Sequence, residues 1–322
     1  MVIGISAKNL KDVELVLIEK LVKSITSRGG TVRLVHISDS NESNLAFPQE
    51  QSGFLFEDDN ALSECDMVIS LGGDGTLIKT AKRVLENGIP IFGVNLGNLG
   101  YLAEVEVDDI DDVIERVFKR EYFIENRLML NARILPLEDD VLSKEPKIKN
   151  ANDKNTNDKT ASDMAANDKT ANDRVFSILN DISLTRGNLT HSIKIRAYVD
   201  DALLEVFTGD GVIVATPTGS TAYSLSAGGS VIDPETNAIS LVPVCPHIIF
   251  SRSVILSSDR VIKFCMEREK DSANISFDGA ESGVFRKGQV LKIARSRYRT
   301  RMVRFKTTNF YGMLKDKLFH KG

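Results

Sequence analysis

A glycine-rich stretch, Leu71-Gly72-Gly73-Asp74-Gly75-Thr76, stands between an apolar run typical of a buried strand and a segment with helical spacing. Glycines allow backbone amides to turn inward and approach a phosphate closely. The following helix adds the free amides and the positive dipole end of its N-terminus, and Lys79, one turn along, adds a positive charge. The stretch therefore predicts a cradle for nucleotide phosphate. Its expected binding residues are Gly72, Gly73, Gly75, Thr76 and Lys79.

Asp74 is the acidic residue of this stretch, and it does not suit a site that only binds anions. An aspartate is ionised at neutral pH and repels phosphate. It can instead accept the proton of an attacking hydroxyl or hold a phosphate-bound magnesium ion. A tight turn without chemistry is the alternative, which the preceding strand and following helix disfavour. Asp74 is therefore the candidate catalytic residue of a phosphoryl transfer.

Two further segments carry groups that suit a nucleoside. The run from Asp210 to Gly229 begins as an apolar strand and ends in a turn dense with hydroxyls and glycines, where Tyr223 offers a flat face to a ring. In Asn180-Asp181 a carboxylate stands beside an amide, and this suits a ribose diol because both hydroxyls can donate to one acidic group. These segments predict a nucleoside-binding surface.

Together these segments resemble the NAD kinase family. The Gly-Gly-Asp-Gly-Thr loop alone also occurs in diacylglycerol-type lipid kinases and, with Ser for Thr, in phosphofructokinases, so it leaves the phosphate acceptor open. The run from Asp210 to Gly229 closely resembles the NAD kinase signature, and Asn180-Asp181 matches the family's Asn-Glu/Asp pair. The segment Gly93–Leu102 is similar to the family's glycine-rich segment, with Tyr101 in place of the usual Phe.

The resemblance implies an enzyme that transfers the terminal phosphate of ATP to the 2′-hydroxyl of the adenosine ribose of NAD, giving NADP and ADP. It leaves open whether another nucleotide or polyphosphate is the preferred donor. It implies that Asp74 is the general base, and that magnesium or another divalent cation arrives with ATP, without a protein-ligated metal. The nucleotide-binding residues that it implies in the second half of the chain are Asn180, Asp181, His191, Asp210, Thr221, Ala222, Tyr223, Ser224, Leu225 and Ser226.

Two positions depart from the family pattern. Thr208 stands two residues before Asp210, where some members have Arg, and Ala280 follows Asp278-Gly279, where Gln is frequent. Both are compatible with the chemistry, but they leave open the preference between NAD and NADH and some of the phosphate contacts.

The elements that must position these residues change character along the chain. Residues 1–125 alternate strand and helix patterns, with helices expected at 11–28, 76–87 and 108–119, which predicts an α/β domain with a mostly parallel sheet. The resemblance implies a phosphofructokinase- or diacylglycerol-kinase-like form of it. Residues 126–305 carry successive strand patterns and predict a β-rich domain, with a hairpin at Asp200-Asp201. The resemblance implies that this domain binds NAD. A last helix within 306–322 is expected to complete the first domain.

Residues 138–174 interrupt the second domain. This segment repeats Asn-Asp-Lys, lacks aromatic residues and has almost no large apolar side chain. Such a composition cannot offset the entropy of ordering, so a disordered insertion between two strands is expected. Binding through the repeat is the alternative, and its role stays open.

Composition sets the class of protein. The 322 residues carry a net charge of −4 and no Trp, which argues against nucleic-acid and acidic-membrane partners. Three dispersed cysteines and the absence of a leader or a long apolar run predict a soluble cytoplasmic protein. The expected partners are NAD and ATP, with a homodimer or homotetramer as the family habit.

Two rival functions remain. A lipid or sugar kinase would share the glycine loop, but the long segment that ends at Gly229 speaks against it. A dinucleotide sensor without turnover would share the binding residues, but the intact Asp74 speaks against it.

Overall fold

A computed structural model describes residues 1–8, 12–37, 49–51, 54–97, 100–137, 174–187, 191–247, 252–305 and 310–319. The predicted disordered insertion therefore lies outside the described residues, except for Arg174. The chain divides into two compact units, Met1–Arg127 with Tyr298–Gly322 and Leu128–Arg297.

Five α-helices are described. They are α1 (Asp12–Thr26), α2 (Asp74–Val84), α3 (Ile110–Lys119), α4 (Tyr223–Ser226) and α5 (Phe310–Phe319). Short 3-10 helices cover Asp59–Glu64, Val107–Asp109 and Thr218–Thr221. Helix α2 begins two residues before its predicted start, so Asp74 is its first residue.

The described strands of the first half are β1 (Val2–Ala7), β2 (Thr31–His36), β3 (Gln49–Gln51), β4 (Phe54–Phe56), β5 (Met67–Leu71), β6 (Ile91–Asn95), β7 (Val105–Glu106) and β8 (Phe123–Pro136). Those of the second half are β9 (Phe176–Ile178), β10 (Asp181–Arg186), β11 (Ile193–Val199), β12 (Ala202–Gly209), β13 (Gly211–Ala215), β14 (Ala238–Val244), β15 (Val254–Ser257), β16 (Ile262–Met266), β17 (Ser272–Phe277), β18 (Ala280–Arg286) and β19 (Gln289–Arg304).

The sheet of the first unit is parallel, as the alternation of strand and helix predicts. Its strand order is β2-β1-β5-β6, and β7 and the end of β19 also pair with β6 in parallel. Strands β5 and β6 are buried along their whole length, which is why both read as continuous apolar runs. Leu71 pairs with Val94. The loops that follow β5 and β6 therefore leave the same edge of the sheet.

The second unit is built from antiparallel strands. One sheet has the order β15-β14-β13-β10-β17-β18, and in the other β12, β11, β16 and β19 are neighbours. A core cluster draws apolar side chains from both sheets, among them Ile182, Val214, Phe264 and Leu291. The predicted hairpin at Asp200-Asp201 is confirmed, because both residues have positive φ between β11 and β12.

One apolar run is interrupted. The sequence of Val175–Leu184 favours a single strand, but the structure has β9 and β10 separated by Leu179-Asn180. The backbone amides there bind a carboxylate instead of a neighbouring strand. No helix in the described part of the chain is both long and apolar enough to cross a membrane.

Candidate active site

The phosphate loop is the turn from β5 into α2, and its glycines serve different purposes. Gly72 has φ of +137°, and a Cβ added there would lie 2.7 Å from the Thr76 hydroxyl oxygen, so the turn itself requires this glycine. Gly73 and Gly75 are exposed, and a Cβ added to either would meet no described atom within 4 Å. Packing within the protein therefore does not require these two glycines. A phosphate lying against the backbone would require them, because a side chain would occupy its space.

Helix α2 presents its N-terminus at this loop. The first amides of a helix generally have no partner within it and attract an anion; of those in α2, the Thr76 N–H donates to the Gly73 carbonyl at 3.0 Å. Gly73 is the N-cap residue, and Lys79 lies one turn beyond the loop, half-buried. Thr76 is buried beside Gly72. The Thr76 side chain therefore packs against the turn that precedes α2.

A buried set of hydroxyls fixes α2 to the sheet. The Thr80 hydroxyl lies 2.6 Å from that of Ser6 on β1 and 3.2 Å from that of Ser70 on β5, and it donates to the Thr76 carbonyl at 3.0 Å. These bonds tie the helix that carries Asp74 to two neighbouring parallel strands.

Three backbone amides hold the Asp74 carboxylate. Oδ2 accepts from the Tyr101 N–H at 2.8 Å, and Oδ1 accepts from the N–H groups of Leu102 and Ala103 at 3.1 and 3.2 Å. A Cβ added to Gly100 would lie 1.9 Å from Oδ1, so Gly100 leaves the space that the carboxylate occupies. The segment after β6 thus forms a cradle for Asp74.

This cradle leaves Asp74 with capacity for one further donor. A carboxylate offers about four lone-pair positions, and the three amides use two on Oδ1 and one on Oδ2. The negative charge is felt nearby, since burial and the charge of Asp74 raise the pKa of Tyr101. A hydroxyl that approaches Oδ2 can therefore donate to it.

A second carboxylate organises the Asn180-Asp181 step. Asp278 accepts hydrogen bonds from the backbone N–H groups of Leu179, Asn180 and Asp181 at 3.1, 2.6 and 3.2 Å. Its own N–H donates to the Asp181 carbonyl at 2.8 Å. Asp278 and Gly279, with φ of 52° and 77°, form the two-residue turn between β17 and β18.

Asp278 was not among the candidate residues predicted from the sequence. Its signal was the Asp-Gly pair in Phe277-Asp278-Gly279-Ala280, which predicts a tight hairpin without indicating where the carboxylate points.

A cavity of about 370 Å³ opens over these residues. It is lined by Asn180, Asp181, Ser183, Thr185, Ala222, Tyr223, Ser276, Asp278 and Gly279. Seven of these nine residues have polar side chains, which can fix a polar ligand by hydrogen bonds. The Asn180 Oδ1 atom is buried and has no hydrogen-bond partner among the described residues. Because buried polar atoms are nearly always paired, this oxygen is a candidate acceptor for a ligand donor.

Asp181 lies in this cavity and is only 4% exposed. Burial raises its pKa to about 7; the charge of Asp278 adds to the rise, and a hydrogen bond from the Tyr223 backbone N–H opposes it. Asp181 is therefore a carboxyl that changes protonation near neutral pH.

The hydroxyl-rich turn packs directly on Asn180. The Thr216 hydroxyl donates to the Leu179 carbonyl at 2.5 Å and accepts from the Gly219 N–H at 3.0 Å. A Cβ added to Gly219 would lie 2.0 Å from the Asn180 carbonyl oxygen, so this close approach requires glycine.

The six residues expected from Thr221 to Ser226 do not share one environment. Ala222 and Tyr223 line the cavity, and the Tyr223 side chain is 43% exposed. Ser224 is fully buried, and its hydroxyl oxygen has no hydrogen-bond partner among the described residues. Thr221 and Leu225 are half-buried and Ser226 is exposed, and none of these three lines the cavity.

Asp210 and His191 lie outside the cavity lining. Asp210 forms an ion pair with Arg186 at 3.2 Å, and its charge contributes to the raised pKa of Tyr223, after burial, Cys245 and Asp181. His191 is exposed beside residues that the structure does not describe. The predicted residues thus form one group at the α2 N-terminus and another around the cavity of the second unit.

Comparison with known proteins identifies the family. Residues 12–122 match the model of the ATP-NAD kinase N-terminal domain, and residues 179–305 match that of the ATP-NAD kinase C-terminal domain. This chain belongs to the NAD kinase family. The NAD kinase of Acetivibrio thermocellus is 34% identical over 321 residues, which cover 99% of this chain and 98% of that protein. The NAD kinase of Clostridium botulinum strain Loch Maree is 32% identical over 321 residues, 99% of this chain and 96% of that protein.

Solved NAD kinase structures share the fold. Yeast NADH kinase complexed with NADH matches with a TM-score of 0.73 and 24% identity, covering 100% of this chain and 88% of that one. The Archaeoglobus fulgidus NAD kinase in complex with ATP matches with a TM-score of 0.67 and 21% identity, covering both chains completely. The predicted fold class, an α/β unit with a mostly parallel sheet and a β-rich unit, is therefore confirmed.

Proposed function

We propose that this chain is an NAD kinase that transfers the terminal phosphate of ATP to the 2′-hydroxyl of the adenosine ribose of NAD, giving NADP and ADP. The observation that carries the proposal is the Asp74 carboxylate, held by three backbone amides at the entry to a phosphate loop. A pure anion-binding loop gains nothing from a fixed negative charge, whereas a kinase needs a group that accepts the proton of its acceptor hydroxyl.

The transfer proceeds in line and without a phosphoenzyme. The 2′-hydroxyl donates to the unused position on Oδ2 of Asp74 and passes its proton there as the ribose oxygen bonds to the γ-phosphorus. The bond from that phosphorus to the bridging β–γ oxygen breaks, and ADP leaves with its electron pair. A positioned base of this kind typically contributes about 100- to 10,000-fold.

The phosphate loop stabilises the transferring group. The amides around Gly73 and Gly75, the dipole of α2 and the Lys79 ammonium place positive charge where negative charge accumulates. The described residues contain no group of three His, Cys, Asp or Glu side chains that could hold a metal ion. A divalent cation would be held chiefly by the ATP phosphates, as magnesium usually is, and it would neutralise their charge.

The cavity of the second unit recognises NAD. Asp181 is an acceptor for ribose hydroxyls, and the unpaired Asn180 Oδ1 accepts a further donor. Tyr223 presents a partly exposed ring against which a base can lie. The remaining predicted residues stay proposed contacts, reached only when the ligand extends beyond this cavity: His191, Asp210, Thr221, Ser224, Leu225 and Ser226.

The proposal extends to the setting of the enzyme. It acts in the cytoplasm on small-molecule nucleotides, and it assembles as a homodimer or homotetramer, the habit of the family. Sedimentation of the purified chain at micromolar concentration tests the assembly, and a monomer at all concentrations contradicts it.

The activity is tested with purified protein, NAD, ATP and magnesium, with NADP detected by an NADP-specific dehydrogenase. We expect NADP to form only when all three components are present, and Asp74→Asn to reduce turnover about 100- to 10,000-fold. Near-normal turnover in Asp74→Asn contradicts the base assignment. Binding of NAD without turnover indicates a sensor, and phosphorylation of a sugar or lipid in place of NAD indicates another kinase class.

A further inference from the structure

Four charged side chains are buried together in the first unit. Glu104, Glu125, Arg127 and Arg304 are each at most 10% exposed, and they come from three distant parts of the chain. Arg304 bonds to Glu125 through Nε at 2.7 Å and to Glu104 through Nη1 at 3.0 Å. Arg127 bonds to the same Glu125 oxygen at 2.8 Å. The cluster balances two positive charges against two negative ones.

Burial of such a cluster is a poor way to stabilise a fold. Taking charges out of water costs several kcal/mol per ion, and apolar replacements are often neutral or stabilising. The pKa values record this balance: burial raises the pKa of Glu104 despite Arg304, whereas the charges of Arg127 and Arg304 outweigh burial and lower the pKa of Glu125. The Nη2 atom of Arg304 is also buried without a hydrogen-bond partner among the described residues. Stability alone therefore does not explain Arg304.

The position of Arg304 supplies an explanation. Its Nη1 also donates to the Leu102 carbonyl at 3.0 Å, and the N–H of Leu102 donates to Asp74 Oδ1 at 3.1 Å. The Phe305 N–H donates to Glu104 Oε1 at 3.2 Å, which holds the other end of the same segment. The end of β19 is thus hydrogen-bonded to residues 102–104. Residues 101–103 are in turn hydrogen-bonded to the Asp74 carboxylate.

We propose that Arg304, held by Glu104 and Glu125, is a positioning residue for the carboxylate of Asp74. It fixes the Leu102 peptide group, so that the amides of the cradle point at Asp74 with Oδ2 left available to the acceptor hydroxyl. This inference rests on the proposed function of Asp74. Arg304 bonds to Glu125, Glu104 and the Leu102 carbonyl, so its effect on turnover passes through the cradle.

Arg304→Lys tests the proposal in the full-length chain. Lysine keeps the charge but cannot span the Leu102 carbonyl and both carboxylates with a rigid fork. We expect kcat to fall about 10- to 100-fold, because a displacement of ~1 Å at a reacting group can cost on the order of 100-fold. KM for NAD and for ATP should stay within about twofold, since ground-state binding is not altered.

A second background separates positioning from folding. In Asp74→Asn, turnover measured over long incubations should fall by less than about threefold on adding Arg304→Lys, because effects that share one route are not additive. Equal fold losses in both backgrounds overturn the proposal. If Asp74→Asn turns over normally, the proposed function loses its base and the positioning role falls with it; an additive loss overturns the positioning role alone.

The matched control is Arg33→Lys. Arg33 also joins two carboxylates, Glu57 and Glu64, in the same unit. It lies on β2, which is separated by β1 from β5 and β6, the strands next to the phosphate loop and the cradle. Its kcat should be unchanged. If thermal melting of Arg304→Lys shows no folded protein, Glu104→Gln is used instead. This variant weakens the bond between residue 104 and Arg304 without changing the side-chain volume. A folded Glu104→Gln protein with normal kcat overturns the proposal.

Discussion

The Asp278 carboxylate accepts a 2.6 Å hydrogen bond from the backbone N–H of Asn180, 98 residues earlier in the chain. Neighbouring bonds from Leu179 and Asp181 complete a cap on the break between β9 and β10. Asn180 and Asp181 line the cavity, so this cap determines where their side chains lie.

Asp278→Asn tests this cap. In this variant an amide NH₂ group replaces one carboxylate oxygen, and it cannot accept a hydrogen bond from the backbone N–H groups that Asp278 binds. We therefore expect the free energy of unfolding to fall by about 1–3 kcal/mol. KM for NAD should rise by about tenfold or more, which corresponds to roughly 1.4 kcal/mol of lost binding. Steady-state kinetics and urea unfolding measure the two effects.

Asp200→Asn is the control for this prediction. Asp200 also has positive φ in a two-residue hairpin, and its carboxylate accepts from the Val261 N–H at 2.9 Å, but it does not line the cavity. It should lose stability without a change in KM. A similar rise in KM in both variants contradicts a specific role for Asp278.

The titration of Asp181 predicts a pH-dependent stability. Its folded-state pKa is raised to about 7 from an ordinary value of 3.8, so the folded protein holds this proton more tightly than the unfolded chain. The resulting stabilisation is complete below pH 4 and is lost as the pH rises through about 7. At ~1.4 kcal/mol per pKa unit the loss amounts to a few kcal/mol.

Asp181→Asn isolates this effect from other titrating groups. Between pH 5 and pH 8 the free energy of unfolding should fall more in the wild-type protein than in the variant, as measured by urea denaturation at both pH values. Parallel behaviour of the two proteins would show that Asp181 does not titrate in this range.

Gly75→Ala separates ligand binding from folding. Gly75 lies in helix α2 with open space around its Cα, so alanine should raise the free energy of unfolding by up to ~1 kcal/mol. The added methyl group projects where phosphate is expected, so KM for ATP should rise about tenfold or more. Thermal melting measures the gain in stability, and steady-state kinetics measure the rise in KM for ATP. Unaltered kinetics would place the phosphate elsewhere.

Gly72→Ala is the counterpart of that substitution. Its positive φ and the Thr76 hydroxyl leave no room for a methyl group. This variant should lose stability as well as activity, by roughly 1–3 kcal/mol for backbone strain of this kind.

Gly100→Ala tests the cradle of Asp74. A methyl group 1.9 Å from Oδ1 must displace the carboxylate, so kcat should fall about 100-fold, the effect of a misplacement of ~1 Å. Gly97→Ala is the control within the same segment, because its Cβ would meet no described atom within 4 Å. Equal kcat values for the two variants contradict the role of the cradle.

Sequence patterns were sufficient where the causes are local. Glycines, a strand before them and a helix after them identify the phosphate loop, because a turn and a helix N-terminus depend on neighbouring residues. The predicted start of α2 was wrong by two residues. Asp74 belongs to the helix, and its side chain is held by a segment 27 to 29 residues later in the chain.

Only the tertiary structure decided which groups meet. Asp278 and Asn180 are adjacent in space because β10 and β17 pair, and no local pattern records that register. Arg304 reaches Leu102 across 202 residues, and charge periodicity gives no sign that it is buried. The sequence by itself determined the family, the fold class and the kind of chemistry, since these depend on residue type and short-range spacing. The placing of each carboxylate depends on long-range contacts, and only the folded chain contains them.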